Sequence, residues 1–333
     1  MDKVQFFDKL STLDDERLRT VLWTLYWRGS AVLRERIEAE LSATPGQPRT
    51  KVAKDPIDPE WVLTEVNEFV GLARSGAYLA GDRRVSRQER ARWRLTFKRL
   101  ASDSQSALQD EDISAGVAAV EQIIDLACEM RDFEYFHSED PVEAAGFVVS
   151  DSAALMWSTV RQRFGFAGFA DRAAPQLVRW ESRYGWTRTG WGRTSAKETT
   201  LAVVLARMLT APDMWVQFTD RYLDALDAVE ASTSSNTKAP RGSADRSRAG
   251  RSEALAGWHV LLLDRLIDSE AEDRLDRLAG HPALGGPELW FFQAQLAQRR
   301  GDGAAAAASV KKALAKLPGH PGFLSFAAEI AVL

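Results

Sequence analysis

Only one cysteine, Cys128, occurs in 333 residues. That excludes an intrachain disulfide framework and a zinc site built on cysteine pairs. No apolar run is long enough to span a bilayer, and Met1 to Leu13 mixes Asp, Lys and Phe without an apolar stretch ahead of a cleavage site. The expectation is a cytoplasmic protein with no signal peptide, no spanning helix and no membrane contact. Period-two alternation is missing too, since its nearest approach, Phe147 to Val149, is too short to argue a strand. The chain has no Gly-rich phosphate loop with its Lys, no Gly-x-Ser-x-Gly and no glycine fingerprint following a strand. Its four histidines stand singly, without His-Glu-x-x-His spacing. These absences point away from familiar enzyme chemistry, so the expectation is a non-enzymatic protein with no cofactor and no metal.

Apolar residues make up 45% of the chain and charged residues 27%, enough for a substantial core in about two domains. The formal net charge of −4 argues against nucleic-acid binding by the molecule as a whole, while leaving room for local basic patches. The richness in Ala and Arg is what a GC-rich bacterial genome produces.

The apolar rows recur at helical spacing, and the predicted class is all-α: a helical hairpin, an irregular multi-helix domain and a short helical module. Residues 1–43 read as the hairpin. Ser11 or Thr12 caps its first helix, Leu18, Val21, Leu22 and Leu25 form its stripe, Gly29 ends it, and Val32, Leu33, Ile37 and Leu41 mark a second helix. Residues 44–59 carry Pro45, Pro48, Pro56 and Pro59 and read as a Pro-rich linker. Residues 60–230 form the central domain. Its rows are Ile113, Val117, Val120, Ile124 and Ala127; Trp157, Val160 and Phe164; Leu201, Val204, Leu205 and Met208; and Trp215, Phe218 and Leu226. Asp140-Pro141 with Glu143, and Ser195 with Glu198, look like capping boxes. Residues 231–252 lack apolar bulk and hold Lys238, Arg241, Arg246, Arg248 and Arg251 against the single acid Asp245, so the expectation is a disordered basic linker. Residues 253–333 form the last module, opened by Leu255, Trp258, Leu262 and Leu266 and continued by Leu275 and Leu278.

Within that module Trp290, Ala294, Gly301, Asp302, Ala306, Ala313, Leu314 and Pro318 stand in the register of a tetratricopeptide repeat, which the segment 287–320 resembles. Small residues let two helices cross closely, and Gly-Asp makes the turn between them. Gln293 and Gly303 depart from the pattern, which makes the repeat degenerate or terminal. The resemblance implies a scaffold that holds a protein or peptide on the inner face of the first helix, at Glu288, Phe291, Gln295, Gln298 and Arg299. The alternative is a terminal cap, with Phe291 covered by the last helix. More weakly, Leu13 to Leu18 and the helices after it are similar to helical regions of bacterial proteins carrying SWIM-type zinc fingers. The finger and its ligands are absent, so zinc binding does not transfer.

Two further segments invite a ligand or a nucleic acid. Arg179, Arg183, Trp186, Arg188, Trp191 and Arg193, with Trp180 and Tyr184, interleave guanidinium groups and aromatic rings suited to stacking a base or clamping a phosphate. The bland alternative packs those rings on the core. Arg83, Arg87, Arg90, Arg94 and Lys98 fall within an arc of about 80° on one helix, beside a core-facing row of Trp93, Phe97 and Leu100. Such a stripe either tracks a phosphate backbone or is a solvated face paired with acids such as Asp110, Glu111 and Asp112. Asp132, Glu134, His137, Glu139, Asp140 and Glu143 form the only place where a His meets several acids, and its spacing fits no metal motif. The reading is thus an adaptor for a protein or peptide partner, with a nucleic-acid-associated factor as the alternative and an enzyme with an unfamiliar helical site as the third. Oligomeric state is not legible.

Overall fold

The computed structural model describes residues 12–28, 58–79, 82–130, 132–184, 192–235, 243–267 and 269–330. Among them are thirteen helices and no strand, the all-α class expected from periodicity. None of these helices is long and apolar enough to cross a membrane. The chain divides into two compact units, Met1–Pro56 and Ile57–Leu333.

In the first unit the described helix is α1, Asp15–Arg28. Its cap is Asp14, whose carboxylate accepts the Arg17 N–H at 2.7 Å, rather than Ser11 or Thr12. An acid at this position meets the positive end of the helix dipole as well as the unpaired amides. Val21, Leu22, Trp23 and Trp27 on α1 are exposed. The expected second hairpin helix and residues 44–57 of the expected linker lie outside the described residues.

The second unit opens with α2, Pro59–Arg74, where Pro59 is a helix-starting residue rather than linker: Asp58 accepts the Glu60 and Trp61 amides just ahead of it. Next come α3 (Arg87–Ala107), α4 (Ser114–Glu129) and the short α5 (Pro141–Ala145). Phe69, Tyr78, Trp93, Phe97 and Phe136 knit this part together, with Trp93 stacked on Phe136 at 4.1 Å. The predicted row on α4 is buried throughout.

The long α6, Val149–Tyr184, is broken at Gly165, whose φ of 71° and ψ of −171° only glycine adopts without strain. The break explains why Trp157 and Val160 are buried while Phe164, expected on the same row, is exposed. α7 (Leu201–Met208), α8 (Pro212–Ser235), α9 (Ser243–Leu266), α10 (Asp273–Ala279), α11 (Gly286–Arg299), α12 (Gly303–Lys316) and α13 (Pro321–Glu329) follow. α4 packs on α2, α3 and α6; α6 on α8 and α9; α9 on α11; α11 on α12; and α12 on α13.

Two expectations are corrected here. One apolar core runs from Val62 to Leu296, so the central domain and the C-terminal module are a single body. And of the expected disordered linker, 231–235 belongs to α8 and 243–252 to α9, with 236–242 outside the described residues. The composition that suggested disorder serves close packing. A Cβ on Gly286 would stand 2.7 Å from the Ala249 Cβ, and one on Gly285 would stand 3.3 Å from the Arg248 Cβ, so α9 and α11 approach through small residues. Ser252 is buried, and its hydroxyl accepts the Gly285 N–H at 2.9 Å.

Candidate functional site

The candidate site is the outer face of α3. The helix starts at a true capping box: the Ser86 hydroxyl accepts the Glu89 N–H at 3.2 Å and the Glu89 carboxylate accepts the Ser86 N–H at 3.0 Å. Trp93, Phe97 and Leu100 are buried, and Phe97 meets Phe69 and Phe147 edge-on, so the rotation of the helix about its axis is fixed. The basic row is thereby turned outward. Arg83, Arg87, Arg94 and Lys98 are all exposed. Arg90, the fifth member of the expected stripe, turns back instead and donates to the carbonyls of Asp82 and Val85, closing the loop ahead of the helix. Arg84 holds that loop as well, bonded to Asp82 and to the Ser75 carbonyl, and its guanidinium draws the Asp82 carboxyl down to about 2.

Several arginines elsewhere in the unit are neutralised. Arg74 grips Glu129 through two bonds of 2.9 Å, and Arg99, on the flank of α3, pairs with Glu65 at 2.8 Å. Arg248 meets Glu230, Arg274 meets Asp220, and Arg300 meets both Glu272 and Asp276. Arg83, Arg87, Arg94 and Lys98 form no ion pair with any described carboxylate, Asp110, Glu111 and Asp112 included. At its C-terminal end the face borders an open cleft of about 300 Å³, where Lys98, Ser102 and Gln105 of α3 oppose Gly146, Phe147 and Asp151.

The inner-face residues of the C-terminal helix pair are otherwise engaged. α11 and α12 form a helical hairpin: Gly301 takes a φ of 77°, Asp302 caps α12 by accepting the Ala305 N–H at 2.9 Å, and Ala294, Ala306 and Ala313 are fully buried. Lys312 lies over the Trp290 ring at 4.3 Å. Phe291, however, packs on Phe323 at 4.7 Å and on Phe326 at 5.3 Å, both from α13. Arg299 pairs with Asp264 at 2.6 Å, and Gln298 reaches Glu329 at 3.5 Å. Glu288 sits 3.6 Å from His320, and burial pushes its carboxyl above the ordinary range. Of the five, Gln295 alone, which is half-buried, has no such side-chain partner. The described arrangement is the covered one: Phe323, Phe326 and Ala327 of α13 join Val310 and Ala313 in one apolar cluster, and Phe291 packs against it.

The Arg/Trp segment is brought together only in part. Trp186, Arg188 and Trp191 lie outside the described residues, as do the side chains of Arg183 and Tyr184. Trp180 is core: it stacks on Trp157 at 6.3 Å and donates to Asp125 at 2.8 Å. Arg179 pairs with the same carboxylate at 3.2 Å. Arg193 is exposed, and its backbone N–H, with those of Thr194 and Ser195, donates to Glu143. Burial raises the Glu143 carboxyl, but those three donors outweigh it and hold the group below its ordinary value. A Cβ at position 192 would lie 2.2 Å from that carboxyl carbon, so a larger residue in place of Gly192 would have to displace the Glu143 side chain from these amides.

The acids near His137 do not assemble. His137 is almost fully exposed, 4.0 Å from Glu134, and no group of three His, Cys, Asp or Glu side chains among the described residues is placed to hold a metal ion. Asp140 caps α5 as expected. Ser195 and Glu198 do not form a capping box, because Thr200 caps α7 and the Glu198 carboxylate binds the Val149 and Ser150 amides, capping α6 from a distance. Sequence reading passed over the row Glu121, Asp125 and Glu129, at intervals of four on α4, which a helical count of acids would have found. It holds Gln176, Trp180 with Arg179, and Arg74 with Tyr135. Burial raises the Glu121 and Asp125 carboxyls. Comparison with protein-family models, curated proteins and solved structures finds no match for the chain.

Proposed function

We propose that the protein acts by binding, as a helical scaffold that docks a nucleic-acid backbone on the outer face of α3. The observation that carries the reading is the clustering of four exposed cations, Arg83, Arg87, Arg94 and Lys98, along one face of α3 and the loop ahead of it, none of them paired with a described carboxylate. Arg87, Arg94 and Lys98 follow one line along α3, which at about 1.5 Å rise per residue spreads them over roughly 16 Å. Cations in a row at that spacing suit a run of phosphates, and the aromatic anchors beneath make the row rigid. The adjacent cleft, with Ser102, Gln105 and Asp151, offers hydrogen-bond partners to a sugar or a base edge. The adaptor reading through the C-terminal pair remains a second proposal: it rests on the helix pair and requires α13 to leave Phe291.

Fluorescence anisotropy of labelled 20-mer oligonucleotides, single-stranded and duplex, tests the first reading. Four phosphate contacts give a slope in log K against log salt of about −3.6 on the duplex and about −2.8 on the single strand. The triple variant Arg87→Glu, Arg94→Glu, Lys98→Glu loses the binding while keeping the helical circular dichroism of the parent. Salt-insensitive binding, or equal binding by the triple variant, overturns the proposal, as does binding to polyglutamate with none to either oligonucleotide.

A further inference from the structure

Away from α3, a second cleft of about 390 Å³ opens between the C-terminal half of α6 and α8. Its walls are apolar and small: Pro175 and Val178 on one side, Ala225 and Ala228 on the other. Two guanidinium side chains border it, Arg179 of α6 and Arg251 of α9. They differ in how they are satisfied. Arg179 is half-exposed and already pairs with Asp125. Arg251 is half-buried and donates to the Ala283 carbonyl, but it forms no ion pair with a described carboxylate, the nearby Glu230 being held by Arg248. Burial depresses its pKa, the mark of a cation whose surroundings do not fully repay its lost water.

An apolar slot edged by a half-buried guanidinium that pairs with no described carboxylate matches one ligand chemistry, an apolar body ending in an anionic head. A cleft of this size falls in the range of small-molecule sites, and a planar guanidinium offers paired donors to a carboxylate or phosphate. We infer that the cleft between α6 and α8 binds a small amphipathic anion, its chain against Pro175, Val178, Ala225 and Ala228 and its head toward Arg251. This goes beyond the nucleic-acid reading and uses none of the α3 residues.

Isothermal titration of the full chain with decanoate, octyl phosphate and uncharged decanol tests the inference. Saturable one-to-one binding of at least one of the two anions is expected, and the tighter of them names the headgroup. Decanol binds about tenfold more weakly, since a charge-assisted hydrogen bond is lost. Ala228→Trp fills the slot from an exposed position and abolishes binding without entering the core. Arg251→Gln, which keeps a donor for the Ala283 carbonyl, weakens the anions about tenfold and leaves decanol unchanged. Equal affinity for decanol, no saturable binding of either anion, or binding untouched by Ala228→Trp overturns the inference. So does a dimer in sedimentation that Ala228→Trp dissociates, because the slot would then be covered by a second copy.

Discussion

Two basic stretches of this chain, 83–98 and 243–252, meet opposite fates. In the second, positive charge and small residues are drawn into the body: Arg248 takes Glu230, Arg251 takes a carbonyl, and Ala249 lies against Gly286. In the first, the apolar row goes inward and Arg83, Arg87, Arg94 and Lys98 are left in water. Basic composition alone does not separate these cases. What separates them is whether an acid and a close-packing neighbour lie across the interface, and both were supplied from distant parts of the sequence.

The α8–α9–α11 junction is therefore where substitution has its largest effect. Gly286 combines a φ of 81° with the 2.7 Å approach to Ala249. Gly286→Val adds a left-handed penalty to an overpacked contact, and urea unfolding should show a loss of about 2 to 5 kcal/mol. A change below about 0.5 kcal/mol would mean that the junction is loose and the contrast with α3 unfounded.

Acid probes the same junction. Tyr222 and His259 share a buried hydrogen bond of 2.7 Å, and burial, with His281 nearby, pushes the His259 ring down to about 3. His281 is also lowered by burial; it accepts the Ala283 N–H at Nδ1, so its Nε2 proton faces Asp227. A histidine with a depressed folded pKa gives stability that is present above its unfolded pKa, about 6.5, and is lost as pH falls toward the folded value. By pH 4.5 the His259 contribution lost is about 2 to 3 kcal/mol. Glu121, Asp125 and Glu288, raised by burial, act with opposite sign, so the measurement is a difference: His259→Gln should flatten the stability profile between pH 6.5 and 4.5 relative to the parent. Parallel profiles would show that the ring is already hydrated.

At the C-terminal pair, a Phe291 on an open inner face would tolerate Phe291→Ala without loss of stability. With Phe323 and Phe326 against the ring, it should instead cost about 2 kcal/mol in thermal or urea unfolding. Unchanged stability would return Phe291 to the solvent and reopen the peptide reading.

The helix rows were legible because local spacing encodes them: Leu255, Trp258, Leu262 and Leu266 needed no partner to be recognised, and all are buried. The positions that failed depend on long-range geometry. Phe164 was misplaced because one glycine turns the chain beneath it, and Glu198 because its carboxylate serves a helix some fifty residues earlier in sequence. Of the candidate sites, the α3 stripe could be read apart from Arg83, which lies in the loop ahead of the Ser86 cap rather than on the helix, and Arg90, whose inward turn depends on that loop's conformation. The cleft bordered by Arg179 and Arg251 could not be read at all, since its walls come from three helices.

The smallest effect sharpens the comparison most directly, because one substitution can be made in both regions. Arg248→Gln removes the ion pair with Glu230 in a half-buried setting and should cost about 1 kcal/mol in urea unfolding. Arg94→Gln removes the same charge from an exposed helical position with no described acid beside it and should change stability by less than about 0.5 kcal/mol. Glutamine is a sound helix former, so backbone propensity contributes little to either value. If Arg94→Gln proved the costlier, the α3 face would hold a structural partner, and its charge would no longer be free to meet a phosphate.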